Sequence, residues 1–311
     1  LNAGPVQLPG GRHHVRVELD ENYNIDESDE RNVFGRDIVV RPDLIAAGAW
    51  QGPFPSPPFP RTALSSADQP FPAVAGHRFA PQNQYAAFLM ATAESDDNYT
   101  LNLHPIATDI RTGFETPLAT SSSSGGRIES FVVNTSALGL ASFDVGVQLQ
   151  ARSGDGPYSV RHVTSQVATP GDDLTVSFAF GEVVELVEFT FNVLETGPFS
   201  IQFEGSFDPL DPNPGVSVYW MGPGTGVVRP AVEEPVAAFV DELSGDVTVP
   251  TSGTYCLALV RDIRAGEAAL PATITLRTDV ESLPDLSVLR DSDFWPLPFL
   301  PSIEPIPSGP V

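Results

Sequence analysis

From Val187 to Val193 the chain alternates strictly, with Val187, Phe189, Phe191 and Val193 apolar and Glu188, Thr190 and Asn192 polar between them. A period of two puts one set on each face of an extended strand, whereas a helix would scatter both sets around its axis. Past the Glu195-Thr196-Gly197 turn the pattern resumes at Phe199, Ile201 and Phe203. Similar runs occupy Gln84–Ala91, Asn98–His104, Ile128–Val133, Phe143–Leu149 and Tyr158–Val163, then Leu174–Phe180, Val183–Val193, Val216–Met221, Asp246–Val249, Thr254–Arg261 and Ala272–Arg277. In the second of these Tyr99, Leu101 and Leu103 face one way, and Asn98, Thr100, Asn102 and His104 the other. Strands this short, separated by turn-formers such as TSSSSGG at 120–126, predict an all-β chain of tandem antiparallel β-sandwiches, jelly-roll or immunoglobulin-like. One sandwich is expected over 83–167 and a second over 168–281.

Proline sets the punctuation. Within 42–82 the stretches GPFPSPPFPR (52–61) and DQPFPAVAGHRFAP (68–81) are expected to be excluded from central strands, because proline removes a ladder donor and favours polyproline II. Trp50, Phe54, Phe59, Phe71 and Phe79 argue against a loose linker, since disordered linkers are poor in aromatics. An ordered, extended wrap laid on the neighbouring sandwich is the expectation. Pro42-Asp43-Leu44 followed by Trp50 recurs as Pro284-Asp285-Leu286 followed by Trp295 and PLPFLPSIEPIP, which reads as a module boundary. On that reading 1–41 closes a preceding module and 282–311 opens a next one. The start at Leu1, without initiator Met or signal peptide, is read as a mature product or an internal section.

Charge narrows the partners. The net charge is −24, with 40 acidic residues against 16 cations, every one an arginine. Nucleic acid and anionic membrane would be repelled, while divalent cations would relieve the self-repulsion. Cys256 is the single cysteine, so no intrachain disulfide can form. It shares a strand face with Ala258 and Val260 and is read as a small buried hydrophobe. No apolar run approaches the length of a membrane span.

The polar residues form no recognised catalytic motif. No G-x-S-x-G, H-E-x-x-H or Walker sequence occurs. The five histidines are scattered, and His13 and His14 point to opposite faces of one strand and so cannot chelate together. The acidic turn after Glu18 places Asp20, Asn22, Asn24 and Asp26 at alternate positions, like the first half of an EF-hand loop. Ile25 stands where that loop needs glycine and Arg31 where it needs a bidentate glutamate, so an EF-hand is rejected. Irregular calcium coordination by Asp20, Asn24, Asp26 and Glu27 is the one metal expectation, set against a plain turn with Asx-type capping. The other acidic turns, at Asp96, Asp97, Asp172, Asp173, Asp208 and Asp211, are read as solvated.

Two stretches of the chain resemble known families. Pro5 to Val40, with Asp20, Asn22, Asn24, Glu27, Ser28, Glu30 and Asn32 in and after the turn, resembles the closing hairpin of the bacterial cell-adhesion-related CARDB module, and Pro-Asp-Leu is how such modules commonly open. TSGTYCLALV at 251–260 resembles the late signature of the bacterial pre-peptidase C-terminal (PPC) domain, a jelly-roll-like sandwich. The two sandwiches read as one template used twice. Phe88–His104 parallels Phe189–Gly205, and Phe143–Leu149 with Tyr158–Val163 parallels Tyr255–Arg261 with Ala272–Arg277. These resemblances imply a non-catalytic, extracellular or cell-surface bacterial protein, structural or adhesive. Its partners would be copies of itself or adjacent modules, joined head to tail into a fibre or array, or an extracellular ligand. No cofactor is implied beyond calcium. The alternative implied by the PPC resemblance is an accessory substrate-binding or export region of a secreted hydrolase.

Overall fold

The computed structural model describes residues 11–18, 33–55, 74–92, 98–105, 116–122, 128–140, 145–153, 156–193, 197–211, 214–239, 242–263, 267 and 269–280. Strands β1 (Gly11–Glu18) and β2 (Val33–Val40) pair antiparallel on either side of the acidic stretch, with Glu18 opposite Val33 and Gly11 opposite Val40. Then follow β3 (Leu44–Ile45), β4 (Gln51–Phe54), β5 (Val74–Phe79), β6 (Tyr85–Thr92), β7 (Asn98–Pro105), β8 (Ala119–Ser121), β9 (Glu129–Asn134), β10 (Val145–Ser153) and β11 (Tyr158–Thr164). The second half contains β12 (Gln166–Ala168), β13 (Leu174–Phe178), β14 (Val184–Phe191), β15 (Gly197–Phe207), β16 (Val216–Met221), β17 (Val227–Val228), β18 (Ala237–Phe239), β19 (Glu242–Val249), β20 (Gly253–Val260) and β21 (Ala272–Val280). Among the described residues there is no α-helix.

Besides the β1–β2 pair, four sheets form, in the orders β3-β5-β10-β7-β8, β17-β9-β6-β11-β4, β12-β14-β20-β16-β18 and β13-β21-β15-β19. Apart from the parallel pairs β3–β5 and β12–β14, their neighbours run antiparallel. The first two sheets enclose Phe79, Phe88, Met90, Tyr99, Leu101, Leu103, Phe131 and Val147. The last two enclose Phe189, Phe191, Phe199, Ile201, Leu257, Leu259, Ile274 and Leu276. The chain is therefore two β-sandwiches in tandem.

The sandwiches are stacked face to face rather than end to end. A third apolar layer joins the two inner sheets: Tyr85, Ala87, Leu89 and Val132 from one, Leu186, Met221, Cys256 and Ala258 from the other, all buried. Burying a large aliphatic side chain contributes roughly 1.5–3 kcal/mol, so a handful of such residues outweighs any single polar contact across the seam. Consequently β6 is buried at Tyr85 through Met90 without a break, the odd residues facing the seam and the even ones the first core. A strand covered on both faces carries a continuous apolar run, as parallel-sheet strands do, instead of alternation. The crossover of β17 strengthens this. Although it lies within the second half of the chain, it pairs with β9 of the first sandwich, Val227 opposite Val133.

Three expectations are corrected. The DQPFPAVAGHRFAP stretch does form an interior strand, because β5 occupies six of the eight residues between Pro72 and Pro81 and keeps its ladder donors, pairing with β10 on one side and β3 on the other. Within the described part of the 42–82 segment proline enters a strand at Pro53 of β4, which lies at a sheet edge as the ladder argument requires. Gly52 there has φ +131° and a Cβ would lie 2.8 Å from Ser159 Oγ, so only glycine suits that strand. Second, the duplicated template holds for β6–β7 and β14–β15, each pair passing from an inner to an outer sheet, but fails further on. β10 is outer and β11 inner, whereas β20 is inner and β21 outer. Third, Val193, read with the apolar set, lies beyond the end of β14 and is exposed, while Glu188 of the polar set is buried.

A cleft at the seam as the candidate functional site

Polar side chains stitch the seam at two points. At its centre, Glu188 Oε1 accepts the backbone N–H of Tyr85 at 2.8 Å and the hydroxyl of Ser165. Tyr85 donates its own hydroxyl to the Thr254 carbonyl at 2.7 Å, and Asn134 donates to the Pro223 carbonyl at 3.1 Å. At one end Arg161 of β11 donates Nε to the Gly48 carbonyl and pairs with Glu182 at 2.7 Å, with Glu185 at 3.8 Å. Trp50 donates its indole N–H to the Gly181 carbonyl nearby, tying the proline-rich segment to the second sandwich. Deeper in the second sandwich Arg261 forms a fully buried ion pair with Asp211 and donates to the Leu270 carbonyl. Asp211 is thus not the solvated turn residue that sequence suggested.

Between the sheets opens a cleft of about 260 Å³. Ile128 and Ser130 come from the first sandwich, and Val184, Ser217, Tyr219, Val260 and Ile263 from the second. Its roof is a strap, residues 229–236, which leaves the first sandwich's sheet at β17 and rejoins the second through the Val236 N–H to the Val218 carbonyl at 2.8 Å. The Tyr219 hydroxyl donates to the Pro230 carbonyl at 3.0 Å and fastens the strap's near end, while Arg229 pairs with Glu233 within the strap at 2.9 Å. Glu233, Glu234 and Asp262 bring carboxylates to the lining.

The titratable groups elsewhere are built for packing. His77, His104 and His162 are all buried in the first sandwich. His77 Nε2 lies 3.0 Å from the Tyr158 hydroxyl, and burial holds its imidazole down to about 4. His162 sits between the rings of Phe79 and Phe88, at 5.5 and 5.2 Å, and burial holds it down to about 4 as well. Cys256 is wholly buried in the seam, and that burial, with Glu188 nearby, raises its thiol well above the ordinary range. A thiol so placed is inert. Among the described residues no group of three His, Cys, Asp or Glu is arranged to hold a metal ion. The candidate calcium ligands Asp20, Asn24, Asp26 and Glu27 lie outside the described residues, as do Asp96, Asp97 and the segment 282–311. His13 and His14 lie on β1, opposite Ile38 and Asp37 of β2.

The buried histidines give the fold an acid sensitivity whose sign is fixed. The unfolded chain takes up each proton near 6.5 and the folded chain refuses it until about 4, so stability falls as pH drops through that window, by about 3 kcal/mol per histidine at most. Glu185 opposes this. Burial and Glu182 raise its carboxyl to about 7, so between about 7 and 4.5 its protonation favours the folded state. Thermal melts from pH 7 to 4.5 are expected to show a His162→Phe variant losing less stability than the parent, by up to that amount. Parallel losses would show that the imidazole carries no part of the effect.

The central clamp was missed because Glu188 occupies a polar position of the strict alternation, which the sequence assigns to solvent. Arg161, the one charge inside YSVRHV, was the available signal of a polar contact on a covered face.

No family model matches the chain, and no curated protein matches it. Solved structures do align with it. A periplasmic lysozyme inhibitor of g-type lysozyme from Aeromonas hydrophila is 15% identical over 37% of this chain and 99% of its own, with a TM-score of 0.23. PNGase F, a glycosylasparaginase from Flavobacterium meningosepticum, is 10% identical over 65% of this chain and 88% of its own, TM-score 0.20. A secreted protein from Eubacterium rectale is 7% identical over 66% and 68%, TM-score 0.19. At these scores the alignments carry no argument about activity.

Proposed function

We propose that the chain is a non-catalytic, extracellular or cell-surface structural or adhesive element whose two sandwiches behave as one stiff body. The observation that supports this most is the third apolar layer. It removes the hinge that two sandwiches on a linker would have, and a load-bearing or adhesive part gains from that stiffness. The inert burial of Cys256 and the neutral packing of His77 and His162 fit the same reading. So does the acidic surface, which suits a calcium-containing exterior. No helix among the described residues is long and apolar enough to cross a membrane. Assembly with further copies, and calcium at Asp20, Asn24, Asp26 and Glu27, belong to this reading. Light scattering coupled to size exclusion, over a concentration series with and without calcium, tests it. Mass rising with concentration is expected, and more steeply with calcium, while a strict monomer under both conditions overturns assembly.

The cleft favours a second reading, an accessory region that binds substrate for a secreted hydrolase. A pocket between two domains is where binding sites are commonly built.

A further inference from the structure

We propose that Arg161, Glu182 and Glu185 form a pH-operated clasp, which holds residues 46–51 across one end of the seam at neutral to mildly acid pH and slackens as pH rises further. The held segment is a small loop closed on itself by Gln51, whose Nε2 donates to the Ala46 carbonyl at 2.9 Å. Arg161 is its anchor: Nε donates to the Gly48 carbonyl, while Nη2 reaches Glu182 of the second sandwich at 2.7 Å. The Trp50 indole N–H makes the other crossing, to the Gly181 carbonyl. Glu182 is fixed from a second side, since its Oε2 accepts the Ala179 N–H at 2.7 Å. Glu185 stands 3.8 Å from the same Nη2, so two carboxylates share one cation. Arg161, Glu182 and Glu185 are 5%, 28% and 19% exposed, so water screens them poorly. A surplus negative charge in such a place is relieved by a proton or by opening the site to water.

Burial and Glu182 raise the Glu185 carboxyl to about 7, and Arg161 draws it part of the way back. The closed clasp therefore prefers a neutral Glu185, whereas an opened one lets it ionise near its ordinary 4.5. That preference is complete below about 4.5 and is lost as pH climbs through about 7. The other charged or titratable groups on the surrounding elements are engaged elsewhere: His162 of β11 between Phe79 and Phe88, Glu188 with Tyr85 and Ser165, Tyr255 of β20 with Thr251, and Arg261 with Asp211. Asp262, next along, is exposed, and burial keeps Tyr85 and Cys256 protonated. The clasp needs no partner, so it stands or falls apart from the assembly proposed above.

Hydrogen–deuterium exchange of the full chain, read by mass spectrometry at pH 6 and pH 8 and corrected for intrinsic exchange rates, tests it. Peptides covering 46–51, where the Gly48 N–H is bonded to the His162 carbonyl at 2.9 Å, are the reporters. They are expected to be about tenfold less protected at pH 8, the change that a rise from 4.5 to about 7 dictates over that window. Peptides covering 199–203, in the far sheet of the second sandwich, should hold their protection. Glu185→Gln keeps the side chain neutral and should leave the 46–51 protection equal at the two pH values. Glu182→Gln removes the competing carboxylate and should cut the difference below about threefold, which decides the matter if Glu185→Gln fails to fold. Equal protection at both pH values in the parent chain overturns the proposal. So does a tenfold difference that persists in either variant. A difference matched at 199–203 also overturns it, and would assign the effect to the fold as a whole.

Discussion

Replacing Arg261 by methionine is expected to destabilise the protein by about 3–5 kcal/mol, since it removes the cation paired with the buried carboxylate of Asp211. Both side chains of the pair are fully buried, and Arg261 also satisfies the Leu270 carbonyl while lying 6.0 Å from the centre of the Phe178 ring. Burial lowers the guanidinium's pKa and Asp211 restores part of it, so the pair is coupled rather than two independent charges. Removing both charges tells the rest. In Arg261→Met/Asp211→Leu no charge is left unpaired, and most of the loss should return, because a buried ion pair often does no better than an apolar pair of equal volume. Urea unfolding of the two single variants and the double variant measures the coupling. Additive losses, with no recovery in the double variant, would show that packing rather than charge pairing holds that corner together.

A charge placed in the seam should do comparable damage by a different route. Leu186→Asp puts a carboxylate into the layer where Met221, Cys256 and Ala258 face Tyr85, Leu89 and Val132, and none of these offers a donor positioned for it. The expected cost is about 4 kcal/mol or more, and for a chain of this size a fall in melting temperature of about 10 °C. The informative reading is the shape of the transition. With the seam intact, both sandwiches should melt together, and with Leu186→Asp the calorimetric trace should split into two. Two transitions already present in the parent chain would mean that the third layer couples nothing.

How much of this was legible in the sequence depends on which face of a strand is considered. Where a strand has one covered face, as β15 does, Phe199, Ile201 and Phe203 alternate with more exposed residues, and the same period located β7 at 98–104 against the observed Asn98–Pro105 although Thr100 and His104 on its second face are buried too. Val216–Met221 was read with the observed bounds. Where both faces are covered the signal was present but of another kind. The unbroken apolar runs at Tyr85–Met90 and Tyr255–Val260 mark the inner sheets, and reading them as ordinary alternating strands concealed the stacking. Short edge strands such as β3, β8, β12 and β17 carry too few residues for any period to register, so the strap and the cleft beneath it could not be foreseen. Asp211 looked like a turn residue for a related reason: local sequence records the turn, while the arginine that claims it lies 50 positions away.

The crossing of β17 means that the chain has no clean place to be divided. A cut between Thr164 and Gln166 would separate the two halves on paper, yet the amino-terminal piece would lose the outermost rung of one of its sheets and the carboxy-terminal piece would carry that rung with nothing to lean on. Anyone transplanting this architecture, by recombination or by design, inherits the pair as the smallest portable part.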